Sequence, residues 1–275
     1  MKISLVDEQG ALPTLNRTPY EHCPLCGGQE SLEARPEGAP EGGTPGTPWL
    51  VCETCGHLFC AEYPVAGTGP EAPAPPFDRS LRAARRREAG SIVHRVCQLR
   101  GLVGGLWLET DLGDGALLGA AHEFGFDVLG LSHSAARVEH AQELGLESRA
   151  LDLLQLEGEE LFDVVSLVGS LERSPFPAVH LERARELLRP DGVLFVRTQN
   201  VDSALWRELD RRGENPHWDS TEVVHGFSRE HLYWVLRQQG FEPCDFRLSE
   251  GDDLGMDVCA VRAADLAPAE FSTPQ

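Results

Sequence analysis

A chain of 275 residues can bury one substantial core beside a small accessory module, which excludes two domains of large size. Its formal charge of −20, from 44 acidic against 24 basic side chains, disfavours nucleic acid and anionic lipid as partners. The sole lysine, Lys2, excludes Schiff-base catalysis and a P-loop lysine from the body of the protein. These limits favour a protein that acts on small molecules.

The N-terminal segment, MKISLVDEQGALPTLNRTPY, has no apolar run long enough for a signal peptide. No later segment approaches the roughly 20 apolar residues that span a membrane. We therefore expect a cytoplasmic location. In that reducing compartment the eight cysteines suit metal or redox chemistry better than disulfide bonds.

Two Cys-x-x-Cys-Gly knuckles, CPLCG and CETCG, lie in the first part of the chain. They predict a structural Zn²⁺ site that is closed by four thiolates, with a glycine turn after each pair. The four predicted ligands are Cys23, Cys26, Cys52 and Cys55. His57 or Cys60 could replace one of these ligands, and a redox pair or simple buried cysteines are the alternatives. The predicted zinc-ribbon module covers residues 1–62.

Residues 63–77, rich in Pro, Gly and Ala, are predicted to form a linker. Residues 78–100 are predicted to form a helical connector, with Asp78 as its N-cap and a break at Gly90. Seven arginines in this connector could dock RNA or a phosphorylated substrate. Such a run is more typical of a solvated face that pairs with the protein's own carboxylates.

From residue 101 to 265 the pattern alternates between strand and helix, which predicts a parallel sheet with helices on both faces. The predicted strands are GLWLET, FDVLGL, a short ESRALDL, LFDVVSLVG and GVLFVRTQN. The last helix, SREHLYWVLRQQG, precedes two further strands that predict an antiparallel hairpin. Residues 266–275 are expected to be a flexible tail.

Four segments in this order resemble class I S-adenosylmethionine-dependent methyltransferases over roughly residues 101–262: ETDLGDG, SLVGSLERSPFP, LLRPDGVLFVRTQN and HGFSREHLYWVLRQQGFE. Within that superfamily the chain is most similar to the ubiquinone-type branch, and its cysteine module is similar to that of sugar C-methyltransferases. The resemblance implies an α/β fold, with a Rossmann-like seven-stranded sheet, an antiparallel C-terminal hairpin and a small N-terminal zinc ribbon. It also implies S-adenosylmethionine as cofactor.

In this family an acidic residue and a Gly-x-Gly-x-Gly turn follow the first strand. By resemblance Glu109 is that acidic residue, and Gly113 and Gly115, with Asp114 between them, are the last two glycines of the turn. Asp111 stands at the first glycine position. Its side chain crowds the cofactor there, and its charge either repels the cofactor's carboxylate or pairs with its ammonium group.

The resemblance implies a second group of cofactor residues after the next strands. Ser132 stands where the family has an acidic residue for the ribose hydroxyls. Losing a charged acceptor there costs on the order of 1.5–3 kcal/mol, or roughly 10- to 150-fold in affinity. Asp152, followed by Leu153, matches the acidic residue beside the adenine amino group, or else it caps the turn that follows. Ser170 completes the predicted cofactor set.

The SLERS segment resembles the family's Leu-Glu-His, with Glu172 retained and Arg173 in place of the histidine. Arginine does not act as a base at neutral pH, although it can hold a substrate carboxylate or phosphate. The candidate catalytic bases are therefore Glu172, His217 and His225. Each of the two histidines is alternatively a surface or packing residue.

Two functions from different classes stay open. One is an active methyltransferase for a small-molecule acceptor such as a sugar nucleotide or secondary metabolite. The other is a methyltransferase-like scaffold that has lost efficient cofactor binding and serves a protein partner as an interaction or regulatory module. A ribosomal RNA methyltransferase is disfavoured by the net acidity unless the arginine helix binds RNA. A nicotinamide-dependent dehydrogenase is disfavoured because no second large domain is predicted.

Overall fold

The structure is a computed structural model that describes residues 17–34, 48–65, 79–101, 103–220, 222–249 and 254–263. Four predicted features lie outside these residues: the N-cap Asp78, most of the linker, the segment between the two knuckles from residue 35 to 47, and the tail. No helix within the described ranges is both long and apolar enough to cross a membrane.

Short strands build the N-terminal module. They are β1 (Arg17–Pro19), β2 (Ser31–Ala34), β3 (Trp49–Cys52), β4 (Leu58–Cys60) and β5 (Glu62–Pro64). β1 pairs with β5, while β2, β3 and β4 form an antiparallel sheet. β5 therefore occupies the first residues of the predicted linker.

The main body of the described chain contains the remaining strands. They are β6 (Gly105–Glu109), β7 (Phe126–Leu131), β8 (Ser148–Arg149), β9 (Phe162–Val168), β10 (Leu188–Gln199), β11 (His225–Gly226), β12 (Phe241–Leu248) and β13 (Gly255–Arg262). Seven of them form one sheet in the order β12-β13-β10-β9-β6-β7-β8. The neighbours from β10 to β8 are parallel, and β13 is antiparallel to β10 and to β12. This confirms the predicted seven-stranded α/β sheet with its antiparallel hairpin.

Helices cover both faces of the sheet, because its central strands are continuous apolar runs that require shielding on each side. The helices are α1 (Arg79–Arg100), α2 (Ala116–Glu123), α3 (Ala135–Glu143), α4 (Pro177–Leu187), α5 (Ala204–Arg212) and α6 (Arg229–Gln238). Side chains of α4 and α6, such as Leu181 and Leu232, lie in one apolar core. Side chains of α1, α2 and α3, such as Val93, Leu118 and Val138, lie in the other.

The predicted break of the first helix at Gly90 is wrong, since α1 continues from Arg79 to Arg100. A glycine inside a helix costs only about 1 kcal/mol relative to alanine. The neighbours Ala89 and Val93 are buried against the sheet, and this burial outweighs that cost. The sequence patterns also missed α5 and the two-residue strand β11.

β11 joins the two parts of the molecule. It pairs antiparallel with β4, so a strand from residues 225–226 completes the sheet of the N-terminal module in the order β11-β4-β3-β2. The Cys60 amide donates to the carbonyl of Val224 over 2.9 Å, next to this pairing. The N-terminal module therefore shares backbone hydrogen bonds with the segment that follows α5.

Candidate functional site

A cavity of about 520 Å³ lies at the carboxyl ends of β6, β9 and β10. β6 lies between β7 and β9 in the sheet, so the connection after β6 runs to one side of this strand and the later strand β9 is added on its other side. Such a reversal at the carboxyl ends of parallel strands is where open α/β sheets bind their ligands. The cavity volume falls in the range of small-molecule sites.

The turn after β6 forms one wall of the cavity through Glu109, Asp111, Gly113 and Asp114. Gly113 has a φ of +51°, and a Cβ added there would meet only the Asp111 carbonyl, at 4.0 Å. The backbone is therefore open toward the cavity at this glycine. Gly115, with a φ of +75°, stands at the N-cap of α2.

Glu109 is 3% exposed, and its Oε2 has no hydrogen-bond partner among the described residues. Burial raises the pKa of Glu109 well above its ordinary value, and the nearby Asp111 and Asp114 raise it further. A cation or a hydrogen-bond donor placed beside this buried carboxyl group would stabilise its ionised form.

Asp111 reaches across the turn to two arginines. Arg137, on α3, donates from Nη1 to Oδ1 over 2.9 Å, and Arg173 donates from Nη2 to Oδ2. Both arginines also line the cavity. The residue at the first glycine position is thus held between the helix after β7 and the loop after β9.

Ser132 directs its hydroxyl into its own loop. The side chain is buried, and its Oγ accepts a hydrogen bond from the Ser134 amide at 3.2 Å. Ser134 in turn caps α3. Ser132 is not among the residues that line the cavity.

Asp152 is held by local contacts away from the cavity wall. Its Oδ1 accepts from the Leu154 amide at 2.8 Å, and its Oδ2 lies 3.1 Å from His133 Nε2 and 3.6 Å from His180 Nε2. Burial by itself raises the pKa of Asp152, but the hydrogen bonds from the two histidines and the amide outweigh it and lower the pKa. Asp152 thereby caps the turn that begins at the buried Leu153.

The loop after β9 supplies the facing wall through Gly169, Glu172 and Arg173. Glu172 is buried, and its Oε2 has no hydrogen-bond partner among the described residues. Burial raises the pKa of Glu172, against the lowering effect of Arg173. Ser170 instead accepts a hydrogen bond on its Oγ from the Thr110 hydroxyl at 3.1 Å and is not a lining residue.

The two candidate histidines lie outside the cavity wall. His225 is 1% exposed, and its Nε2 donates to the Ser174 carbonyl at 2.8 Å, while its Nδ1 lies 3.0 Å from Nε2 of His57. Burial lowers the pKa of His225 to about 3. His217 stacks on Trp206, with ring centroids 5.3 Å apart.

His225 nevertheless helps to hold the backbone of Glu172 in place. The backbone carbonyl of Glu172 accepts from the amides of Val224 at 2.7 Å and His225 at 3.1 Å. The imidazole of His225 in turn contacts the imidazole of His57, which follows the second knuckle. The cavity wall and the N-terminal module are therefore linked by an unbroken set of hydrogen bonds.

Several lining residues were not identified from the sequence. Arg85 and Glu88 come from α1, and Arg197, Thr198 and Gln199 come from the end of β10. The polar run RTQN after an apolar strand was an available signal, because polar residues at the carboxyl end of a parallel strand commonly face a ligand. The arginines of α1 gave a second signal, and Arg85 pairs with Asp114 at 2.8 Å.

The four knuckle cysteines come together as predicted. Their sulfur atoms lie within 4.8 Å of one another, and within the described ranges they are the group that could hold a metal ion. Cys23 and Cys55 are separated by 3.7 Å, and Cys26 and Cys52 by 3.6 Å. Tetrahedral Zn–S bonds of about 2.3 Å place sulfurs ~3.8 Å apart, so the arrangement fits zinc. Gly27 and Gly56 supply the positive φ of the two knuckle turns.

A family model described as a methyltransferase domain matches residues 81–244. The ubiquinone biosynthesis O-methyltransferase of Histophilus somni is 32% identical over 124 residues, which are 40% of this chain and 51% of that protein. The Pasteurella multocida protein of the same name is 29% identical over 126 residues, 40% of this chain and 52% of that protein. The chain thus spans about half the length of these curated relatives.

Two solved structures show the same fold. One is the 1,6-didemethyltoxoflavin-N1-methyltransferase of Burkholderia thailandensis with bound S-adenosylhomocysteine, with a TM-score of 0.52 and 19% identity over 75% of this chain and 96% of that chain. The other is the magnesium protoporphyrin IX methyltransferase of Synechocystis with bound S-adenosylhomocysteine, with a TM-score of 0.55 and 17% identity over 69% and 90% of the two chains.

Proposed function

Since the chain belongs to the methyltransferase domain family, in the class I S-adenosylmethionine-dependent fold, we propose that it transfers a methyl group from S-adenosylmethionine to a small-molecule acceptor. The observation that carries this proposal is the cavity at the carboxyl ends of β6 and β9. Two buried carboxyl groups, Glu109 and Glu172, each bring an oxygen without a hydrogen-bond partner among the described residues to its walls.

These walls suit a cofactor with a sulfonium and an ammonium group, because buried carboxyl oxygens favour a positive charge beside them. When bound, the cofactor supplies a methyl group already activated by the sulfonium. The cofactor-binding residues in this proposal are Glu109, Asp111, Gly113 and Asp114, with Gly115 ending the turn. Ser132, Asp152, Leu153 and Ser170 remain part of the wider predicted set, although none of these four lines the cavity.

The protein's part in the reaction is to align the acceptor and remove its proton where the acceptor requires it. Glu172 is the best supported of the three candidate bases, since it lines the cavity and burial raises the pKa of its carboxyl group, which makes a carboxylate a stronger base. His225 is better suited to holding the Glu172 backbone, and His217 to packing against Trp206. We further propose that Cys23, Cys26, Cys52 and Cys55 bind one structural Zn²⁺.

Calorimetric titration with S-adenosylmethionine and S-adenosylhomocysteine tests the proposal, followed by transfer of labelled methyl groups to a panel of small molecules. Micromolar binding and product formation would support it. Glu172→Gln should then lower the rate by about 10²- to 10⁴-fold and leave S-adenosylhomocysteine binding within a few-fold. Glu182→Gln, an exposed glutamate on α4, is the matched control and should behave as the parent.

The second candidate function is a methyltransferase-like scaffold that acts on a protein partner. It is favoured by Asp111, which fills the first glycine position and pairs with Arg137 and Arg173, and by the inward-facing Ser132 hydroxyl. Absence of heat with millimolar S-adenosylmethionine or S-adenosylhomocysteine would favour this function over the enzyme.

A further inference from the structure

We propose that Asp111 supplies the carboxylate that binds the ribose hydroxyls of the cofactor, a role for which the end of β7 offers no acidic group. This inference rests on the proposed function and extends it to one residue. In nucleotide-binding sheets of this kind an acidic residue near the end of the second strand binds the ribose diol. Here that position holds Ser132.

Ser132 is poorly placed to replace such an acid. Its side chain is buried, and its Oγ already accepts a hydrogen bond from the Ser134 amide. A hydroxyl also lacks the charge that makes a carboxylate the stronger acceptor. The end of β7 therefore offers no acidic partner to the two ribose hydroxyls of the cofactor.

Asp111 lies directly beside that strand end. The amide of Leu112, the next residue, donates to the carbonyl of Leu131 over 3.2 Å, so the turn after β6 is fastened to the last residue of β7. The Asp111 side chain is 21% exposed and lines the cavity. A carboxylate from the turn thus reaches the region that the strand end would otherwise serve.

The carboxylate is fixed in place and still has capacity to bind. Arg137 holds Oδ1 and Arg173 holds Oδ2, from opposite sides of the turn. A carboxylate offers about four acceptor sites, so these two bonds leave about two for a diol. A group held in this way loses little freedom when the ligand arrives, which favours binding.

The backbone at Asp111 does not require glycine. Within the described ranges, the non-glycine residues with positive φ are Glu160 and Asp191, whereas Gly113 and Gly115 do have positive φ. Aspartate is therefore accommodated at position 111 without backbone strain. If Asp111 were only an obstacle, removing its side chain would improve binding.

The test is calorimetric titration with S-adenosylhomocysteine and with its 2′-deoxy and 3′-deoxy analogues. Parent protein, Asp111→Gly and Asp111→Asn are compared, and thermal denaturation checks that each variant is folded. Asp202→Asn is the matched control, because Asp202 is 60% exposed, pairs with Arg207 and does not line the cavity.

We expect Asp111→Gly to weaken S-adenosylhomocysteine binding by roughly 10- to 150-fold, as for the loss of a charged acceptor, with a smaller loss in Asp111→Asn. The deoxy analogues should bind about 10-fold more weakly than S-adenosylhomocysteine to the parent and about equally to Asp111→Gly. Equal or tighter binding of S-adenosylhomocysteine by Asp111→Gly, or the same deoxy penalty in both proteins, would overturn the inference alone. Absence of binding by the parent would overturn the proposed function with it.

Discussion

The buried carboxylate of Asp257 provides a stringent test of how the helix over the cavity is held. Asp257 is 3% exposed, and Arg197 forms a two-bond fork with it, at 2.7 and 2.9 Å. Arg95, on α1, donates from Nη2 to Oδ2 of the same carboxylate over 3.4 Å. Arg197 also pairs with Glu88 of α1 at 2.8 Å. This cluster fastens α1, which forms part of the cavity wall, to β10 and β13.

Asp257→Ala removes the shared partner of two largely buried guanidinium groups. Breaking a buried pair by deleting one partner costs about 3–5 kcal/mol, and because Glu88 and Asp245 still balance the two arginines, we expect about 3 kcal/mol. That is a large fraction of the roughly 5–15 kcal/mol by which a typical protein is stable. The matched control is Glu242→Ala, which breaks an exposed pair with Arg237 at 2.9 Å and should cost under about 1 kcal/mol.

Urea denaturation followed by circular dichroism measures both losses, with an unchanged dependence on urea concentration as the check that the unfolding transition is the same. The reasoning is refuted if Asp257→Ala costs no more than Glu242→Ala. In that case the fork between Arg197 and Asp257 would behave as a surface ion pair despite its burial.

Three further predictions follow from separate features. Burial raises the pKa of Glu109, so the folded protein keeps this proton to a higher pH than the unfolded chain does. The stability of the parent should therefore fall as pH rises from about 4.3 toward the raised value. In urea titrations between pH 4 and 8, Glu109→Gln should gain stability relative to the parent as pH rises, and a constant difference would contradict this. If the four cysteines bind zinc as proposed, metal analysis should find zinc in the parent and in Cys97→Ser, which lies outside the four-sulfur group. Cys26→Ser should lack zinc and melt at a lower temperature. Gly130→Ala would place a Cβ 2.2 Å from Leu112 Cδ2 and should cost about 1–3 kcal/mol in urea denaturation, while Gly90→Ala, with nothing within 4 Å of the new Cβ, should be neutral or stabilising by up to ~1 kcal/mol.

The strands of the sheet were predictable because each is marked by local signals. The continuous apolar run of β9 and the glycine turn after β6 each identify their element without knowledge of the rest of the chain. The predicted break of α1 at Gly90 rests on the low helix propensity of glycine alone. The helix stays continuous because its neighbours Ala89 and Val93 are buried. β11 has two residues and forms only because β4 offers it a partner, which no local pattern reveals.

The candidate site shows the same division between local and distant determinants. Glu109, Gly113 and Glu172 were assigned through the resemblance of short contiguous segments to the family's motifs, and all three line the cavity. The ion pairs of Asp111 join it to Arg137 and Arg173, which lie 26 and 62 positions away. Pairs at such separations depend on how the strands assemble, and a single sequence does not encode them in a readable spacing.

The pairing of β11 with β4 has a consequence for how the protein comes apart. A strand that belongs to the main body supplies the outer edge of the N-terminal sheet. Separating the two would leave that edge with bare amide and carbonyl groups and would expose His57 and His225, which are both almost fully buried. The two parts should therefore melt together in one thermal transition, and a fragment that lacks either part would be prone to self-association through the uncovered edge.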